Sequence, residues 1–213
     1  MSFGDQVSAP ATASGATWLS DACRGAPWTV GALVPNDYDH YLRVHAPSPE
    51  VPDWWSAYRR LFETVVAVGQ DHTACADRAW FAVWDGHAFT RGSNPSLWQP
   101  LSGSESRTGT TRGAPPLADD LGSFPRFGLP NRTYFLLQGS LSAATQLVEP
   151  GTPNRWINPD LFWPDDRRWF VGSDVDFWSL YVGGDHALIS ALHGRSSLAS
   201  EYVQLDQLVE VES

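Results

Sequence analysis

Asp174 and Asp176 stand two apart in a stretch where Arg167 to Val175 and Phe177 to Val182 read as paired strands, so both carboxylates share one face. Asp85 and His87 repeat that spacing just past the strand-like run Arg78 to Trp84, and His186 opens a helix-like segment. If the strands that carry them were neighbours, these carboxylates and imidazoles would converge on a hard divalent metal. Such an ion activates water, so Asp85, His87, Asp174, Asp176 and His186 define one expectation, a metal-assisted hydrolase. The plainer reading of an Asp-x-Asp pair is a solvated turn former at a strand end.

The aromatic residues suggest different chemistry. Eleven tryptophans make up much of a 13% aromatic fraction. Trp54, Trp80, Trp84 and Trp169 fall at core positions of helical or strand-like segments, whereas Trp98, Trp156 and Trp163 lie beside prolines in loop-like stretches. An exposed indole face stacks on sugars and cations. The binding set read from the sequence is therefore Trp156, Trp163, Trp178, Asp174 and Asp176. His72 and Cys75, three apart, have the types for a thiolate–imidazolium pair, but a small buried cysteine is the commoner role.

Charge and composition exclude more than they assign. All 14 basic residues are arginine, which removes every mechanism that needs a lysine amine, from Schiff bases to phosphate-loop contacts. Gly-x-Ser-x-Gly, His-Glu-x-x-His, Cys-x-x-Cys and Gly-x-Gly-x-x-Gly are all absent. The net charge of -10 divides as -5 over residues 1–90, +2 over 91–132 and -7 over 133–213. An acidic surface repels phosphate backbones, so a basic protein partner or cationic ligand is expected and nucleic acid is not. No apolar run approaches the roughly 18 residues of a spanning helix, and residues 1–17 are too small and polar for a secretory leader. A cytoplasmic protein without membrane contact is the expectation.

The elements that must position these residues follow from periodicity. Trp28 to Val34 and Tyr38 to Val44 read as strands; Asp53 reads as the cap of a helix with apolar positions from Trp54 to Val68, ended by Gly69. Arg132 to Leu137 is a strand, Leu141 to Val148 a short helix, and Pro150 to Pro164 a proline-rich connection. Gly183-Gly184 reads as a turn, Asp185 as the cap of a helix to His193 stopped by Gly194, and Glu201 to Leu205 as an edge strand. The echo between Asp77-Arg-Ala-Trp-Phe-Ala82 and Asp166-Arg-Arg-Trp-Phe-Val171 admits duplication or coincidence. Short links favour an α+β fold: a mainly antiparallel sheet with a few helices packed on it. The organisation expected is a flexible tail over 1–17 and one domain over 18–213, with a long irregular insertion at 91–129.

Gly31-Ala-Leu-Val-Pro-Asn-Asp-Tyr-Asp-His-Tyr-Leu-Arg-Val-His-Ala-Pro47 and Asn158-Pro-Asp-Leu-Phe-Trp-Pro-Asp-Asp-Arg-Arg-Trp-Phe-Val171, continuing to Tyr181-Val-Gly-Gly184, resemble an uncharacterised family of actinobacterial proteins. That resemblance implies no activity. Val34-Pro-Asn-Asp-Tyr38 followed by Tyr41-Leu42 is also similar to the signature of the SUKH superfamily of immunity proteins. The helix that precedes that signature and the Asn-Gly that follows it have no counterpart here. The likeness implies an acidic α+β toxin binder without catalysis. A binding protein of this kind is the leading expectation, with the metal-assisted hydrolase and a sugar- or cation-binding tryptophan platform as its alternatives.

Overall fold

Ala79–Trp84 shows how the sheet is built. Ala79, Phe81 and Val83 face one layer of apolar packing, and Trp80, Ala82 and Trp84 face another. A strand covered on both faces is apolar at consecutive positions, and β-branched and aromatic residues suit its pleated backbone. The structure is a computed structural model that describes residues 6–48, 50–87, 123–130, 132–149, 155–174 and 177–209.

The strands are β1 (Val7–Ser8), β2 (His40–Val44), β3 (Ala79–Trp84), β4 (Arg126–Leu129), β5 (Arg132–Gly139), β6 (Leu161–Pro164), β7 (Phe170–Asp174), β8 (Phe177–Gly184) and β9 (Ser200–Tyr202). They form one sheet in the order β1-β5-β3-β6-β7-β8-β2-β9, with β4 also on β5, and the pairings are antiparallel. The helices are α1 (Leu19–Ala22), α2 (Val30–Leu33), α3 (Trp54–Gln70) and α4 (His186–His193). The fold is α+β, as the short links predict.

α3 and α4 cover one face. Tyr58, Leu61, Phe62, Val65 and Val68 recur at helical spacing and bury against Phe81, Phe135, Phe162 and Trp169. A fully buried side chain such as Phe62 contributes about 1.5–3 kcal/mol relative to an exposed one. Gly69 ends this stripe because Trp169 needs the space: a Cβ there would lie 2.6 Å from the indole, whose Nε1 donates to the Gly69 carbonyl at 3.0 Å. The other face is covered by chain from near both ends. Ala16, Leu19, Cys23, Val30 and Leu33, with Val203 and Val209, pack on Trp163, Phe170, Leu161 and Tyr181.

Several local expectations are corrected. From Gln6 onward the segment read as a flexible tail joins the fold, since Val7 and Ser8 pair with Gly139 and Gln138 and Ala16 is buried. Val30–Leu33 is a helical turn and not a strand, because Val30 and Gly31 donate to the distant Gln207 and Leu205 carbonyls. Asp53 precedes α3 as expected, but in a left-handed conformation (φ 59°) with no capping bond from its side chain. Most of the 91–129 insertion lies outside the described residues; its last part, Arg126–Leu129, is β4, a hairpin partner of β5. The proline-rich stretch contains β6, and Gly183-Gly184 is not a turn but the end of β8, paired with Tyr41 and His40. The two halves of the sequence echo place Trp80 and Trp169 on opposite faces, out of phase for a repeated unit.

Candidate ligand-binding site

Asp160 organises one end of the sheet. Its amide donates to the Ala82 carbonyl at 2.9 Å, and its own carbonyl accepts from the Ser173 amide at 2.7 Å, which ties the approach of β6 to β3 and β7. Its carboxylate, buried with the side chain 4% exposed, accepts from the Trp84 amide at 2.7 Å and lies 3.2 Å from His87 Nε2. A buried carboxylate needs such partners. Sequence reading assigned Asp160 to a loop; the Asn-Pro-Asp ahead of an apolar run was the available signal.

Two more acid–base pairs occupy the same end. Arg126 Nε lies 3.2 Å from Asp85, with its guanidinium 4.5 Å above the Phe135 ring. Arg132 donates to Asp174, and its guanidinium stacks 4.3 Å over Trp84. The Arg132 and Asp174 side chains are only 15% and 10% exposed. An ion pair this far from water holds its geometry but costs desolvation, so its place on the wall of a cleft is informative.

That cleft, about 420 Å³, lies between the 23–33 segment and the β4–β5 turn. Trp28, Pro27, Leu33, Leu129 and Pro130 form much of its wall, and Arg132, Asp174 and Tyr134 supply polar groups. Trp28 is 57% exposed and adopts φ 66°, a left-handed conformation that a bulky residue rarely takes. Its carbonyl accepts from the Val209 amide at 2.8 Å, and the Thr29–Leu208 bridge holds the same turn against the C-terminal segment. Burial, reinforced by Asp37, pushes the Cys23 thiol up to about 12, so it is neutral near pH 7 and no nucleophile. Burial first, then the Asp160 and Asp174 carboxylates, raises the Tyr134 phenol above its ordinary value.

The metal set expected from the sequence is not assembled. Asp174 pairs with Phe177 at the start of β8, whereas His186 follows Gly184 at its end, a separation of roughly 23 Å for seven strand steps. His186 packs against His40 with ring centroids 5.2 Å apart, and its Nε2 lies 3.3 Å from Ser190 Oγ. Asp85 and Asp174 are each matched with an arginine. Asp176 lies outside the described residues, and among those described no group of three His, Cys, Asp or Glu is placed to hold a metal ion. Cys75 Sγ is 3.8 Å from Arg78 Nη2.

The tryptophan platform is also corrected. Trp156 is 4% exposed among Trp55, Tyr58 and Phe62. Trp163 is fully buried, stacked on Phe170 and edge-on to Trp18. Nearby prolines point to loops for both, but α3 encloses Trp156, and sheet pairing and the opposite apolar layer enclose Trp163. Trp98 and the side chain of Trp178 lie outside the described residues. Trp28, read as a strand residue, takes the exposed role. Among the described residues no helix is long and apolar enough to cross a membrane. Comparison with known protein families, with curated proteins and with solved structures returns no match for this chain.

Proposed function

We propose that this is a cytoplasmic binding protein whose site is the cleft beneath Trp28. One observation carries the reading: a mostly buried Arg132–Asp174 pair lies on the wall of a largely apolar cleft, beside an indole that is 57% exposed in a strained conformation. Apolar concavities with a few converging polar groups are the usual form of small-molecule sites. Backbone strain in a bulky residue persists where surrounding structure enforces it, and such residues cluster at ligand clamps. The test is a thermal-shift and intrinsic-fluorescence screen against sugars, organic cations, amino acids and nucleotides, run in parallel on Trp28→Ala. A ligand that stabilises the parent but not the variant supports the site; ligands that stabilise both equally place binding elsewhere.

A protein partner is the second reading, favoured by the exposed Leu208 (66%) beside Trp28. With a net charge of -10, that partner would be basic, and neutralising a toxin would be the immunity-type version. It predicts a salt-sensitive complex in pull-downs that weakens for Leu208→Glu. A complex that survives both high salt and that substitution removes this reading.

A further inference from the structure

We infer that the cleft binds a small zwitterion, an α-amino acid with an apolar or aromatic side chain, an inference that rests on the cleft being the site. Arg132 and Asp174 present charges of opposite sign side by side, with the guanidinium set in place by the Trp84 ring 4.3 Å beneath it. A guanidinium offers five donors in a planar fork, and a carboxylate offers several acceptor directions. A ligand carboxylate on Arg132 and a ligand ammonium on Asp174 would close a ring of four alternating charges.

No other simple ligand fits as well. A lone anion placed on Arg132 meets the Asp174 carboxylate at short range, and a lone cation on Asp174 meets the guanidinium. Each like-charge approach is penalised most where water is scarce, and both side chains here are at most 15% exposed. A sugar brings no charge to either pole. Of these ligand types the zwitterion brings a complementary charge to each pole.

The remaining wall is consistent with this size and polarity. Cys23 and Tyr134 stay protonated near pH 7, so they add no charge to the site. Trp28, Leu33 and Leu129 offer apolar surface for a ligand side chain. A volume of about 420 Å³ is toward the small end of the roughly 300–1,000 Å³ typical of ligand sites, which suits one amino acid better than a nucleotide.

The test is calorimetric titration with L-phenylalanine, L-leucine and L-tryptophan, alongside phenylalaninamide (cation only) and N-acetylphenylalanine (anion only). The expected result is binding of at least one free amino acid, with its monopolar analogues at least tenfold weaker. Asp174→Asn and Arg132→Gln, each checked for a cooperative melt, should weaken that binding tenfold or more. If either substitution unfolds the chain, the analogue comparison on the parent protein still decides the matter. Equal affinity for a monopolar analogue, or no heat from any of the three free amino acids at millimolar concentration, overturns the zwitterion assignment. Loss of the zwitterion preference while another ligand class still depends on Trp28 leaves the cleft standing. Binding of every ligand unaffected by Trp28→Ala removes the cleft itself.

Discussion

The two faces of the sheet are covered in different ways, and the difference explains where the candidate site lies. On one face α3, a regular amphipathic helix of 17 residues, and α4 lay a continuous apolar stripe over Phe81, Phe162 and Trp169. On the other, short turns from residues 13–38 and the C-terminal segment 203–209 pack over Trp163 and Phe170. A helix satisfies its own backbone, so its side chains can seal a face tightly. Irregular chain must find partners for its amides elsewhere. The 23–33 turn finds them in Gln207 and Leu205, and the cleft lies between that turn and the β4–β5 hairpin. On the helical face Trp169 is locked by packing, and at the cleft on the other face Trp28 is offered to solvent.

The sharpest way to break this comparison is Trp169→Ala, which should lower unfolding free energy by about 3–5 kcal/mol in denaturant titrations. A loss below about 1 kcal/mol would show that the helical face is not the better sealed one. Gly69→Ala comes next. It pushes a methyl group toward the Trp169 indole at 2.6 Å and should destabilise by about 1–3 kcal/mol. Both substitutions should leave ligand binding at the cleft unchanged once the protein is folded.

The third prediction concerns pH on the looser face. Cys23 has an ordinary value of 9.0 and holds its proton up to about 12 in the fold, so between these limits the folded state binds more protons than the unfolded one. The Cys23 contribution to stability is therefore complete below pH 9 and is lost as pH rises toward 12, by at most about 1.4 kcal/mol per pH unit for one proton. Denaturant titrations at about pH 8 and about pH 10 should show a smaller fall for Cys23→Ala than for the parent. The smallest effect is expected for Trp28→Gly. Relief of the left-handed strain offsets lost contacts, so stability stays within about 1 kcal/mol of the parent while ligand binding is lost. A large destabilisation would instead make Trp28 a structural residue.

The elements with strong local patterns were legible. α3 and α4 follow the helical period, Asp185 caps α4 through the Leu188 amide as expected, and β3, β5, β7 and β8 read as strands from their β-branched and aromatic content. What misled were signals that are local by nature. Trp28 to Val34 has strand-forming residues, but its amides are captured by carbonyls some 175 positions away along the chain. Gly183-Gly184 is a turn signal, yet the pair continues β8 by pairing with Tyr41 and His40, and glycine is needed at 183 because a Cβ there would lie 2.6 Å from the Tyr38 ring. Prolines near Trp156 and Trp163 point to exposed loops, but packing under α3 buries Trp156, and pairing with β3 and packing on Phe170 and Trp18 bury Trp163.

The site shows the same limit. The chemistry of Asp85, His87 and Asp174 is visible in their types, but their partners Arg126, Asp160 and Arg132 come from distant segments of the chain. Composition and periodicity by themselves determined the α+β class, the acidity, the missing lysine chemistry and the main helices. Each of these depends on residue types or on neighbours a few positions apart. Only the tertiary structure decided that Asp85 and Asp174 meet arginines, and that Trp28 is exposed. Those outcomes depend on which strands lie side by side, which is set by burial summed over the whole chain and leaves no mark within any single segment.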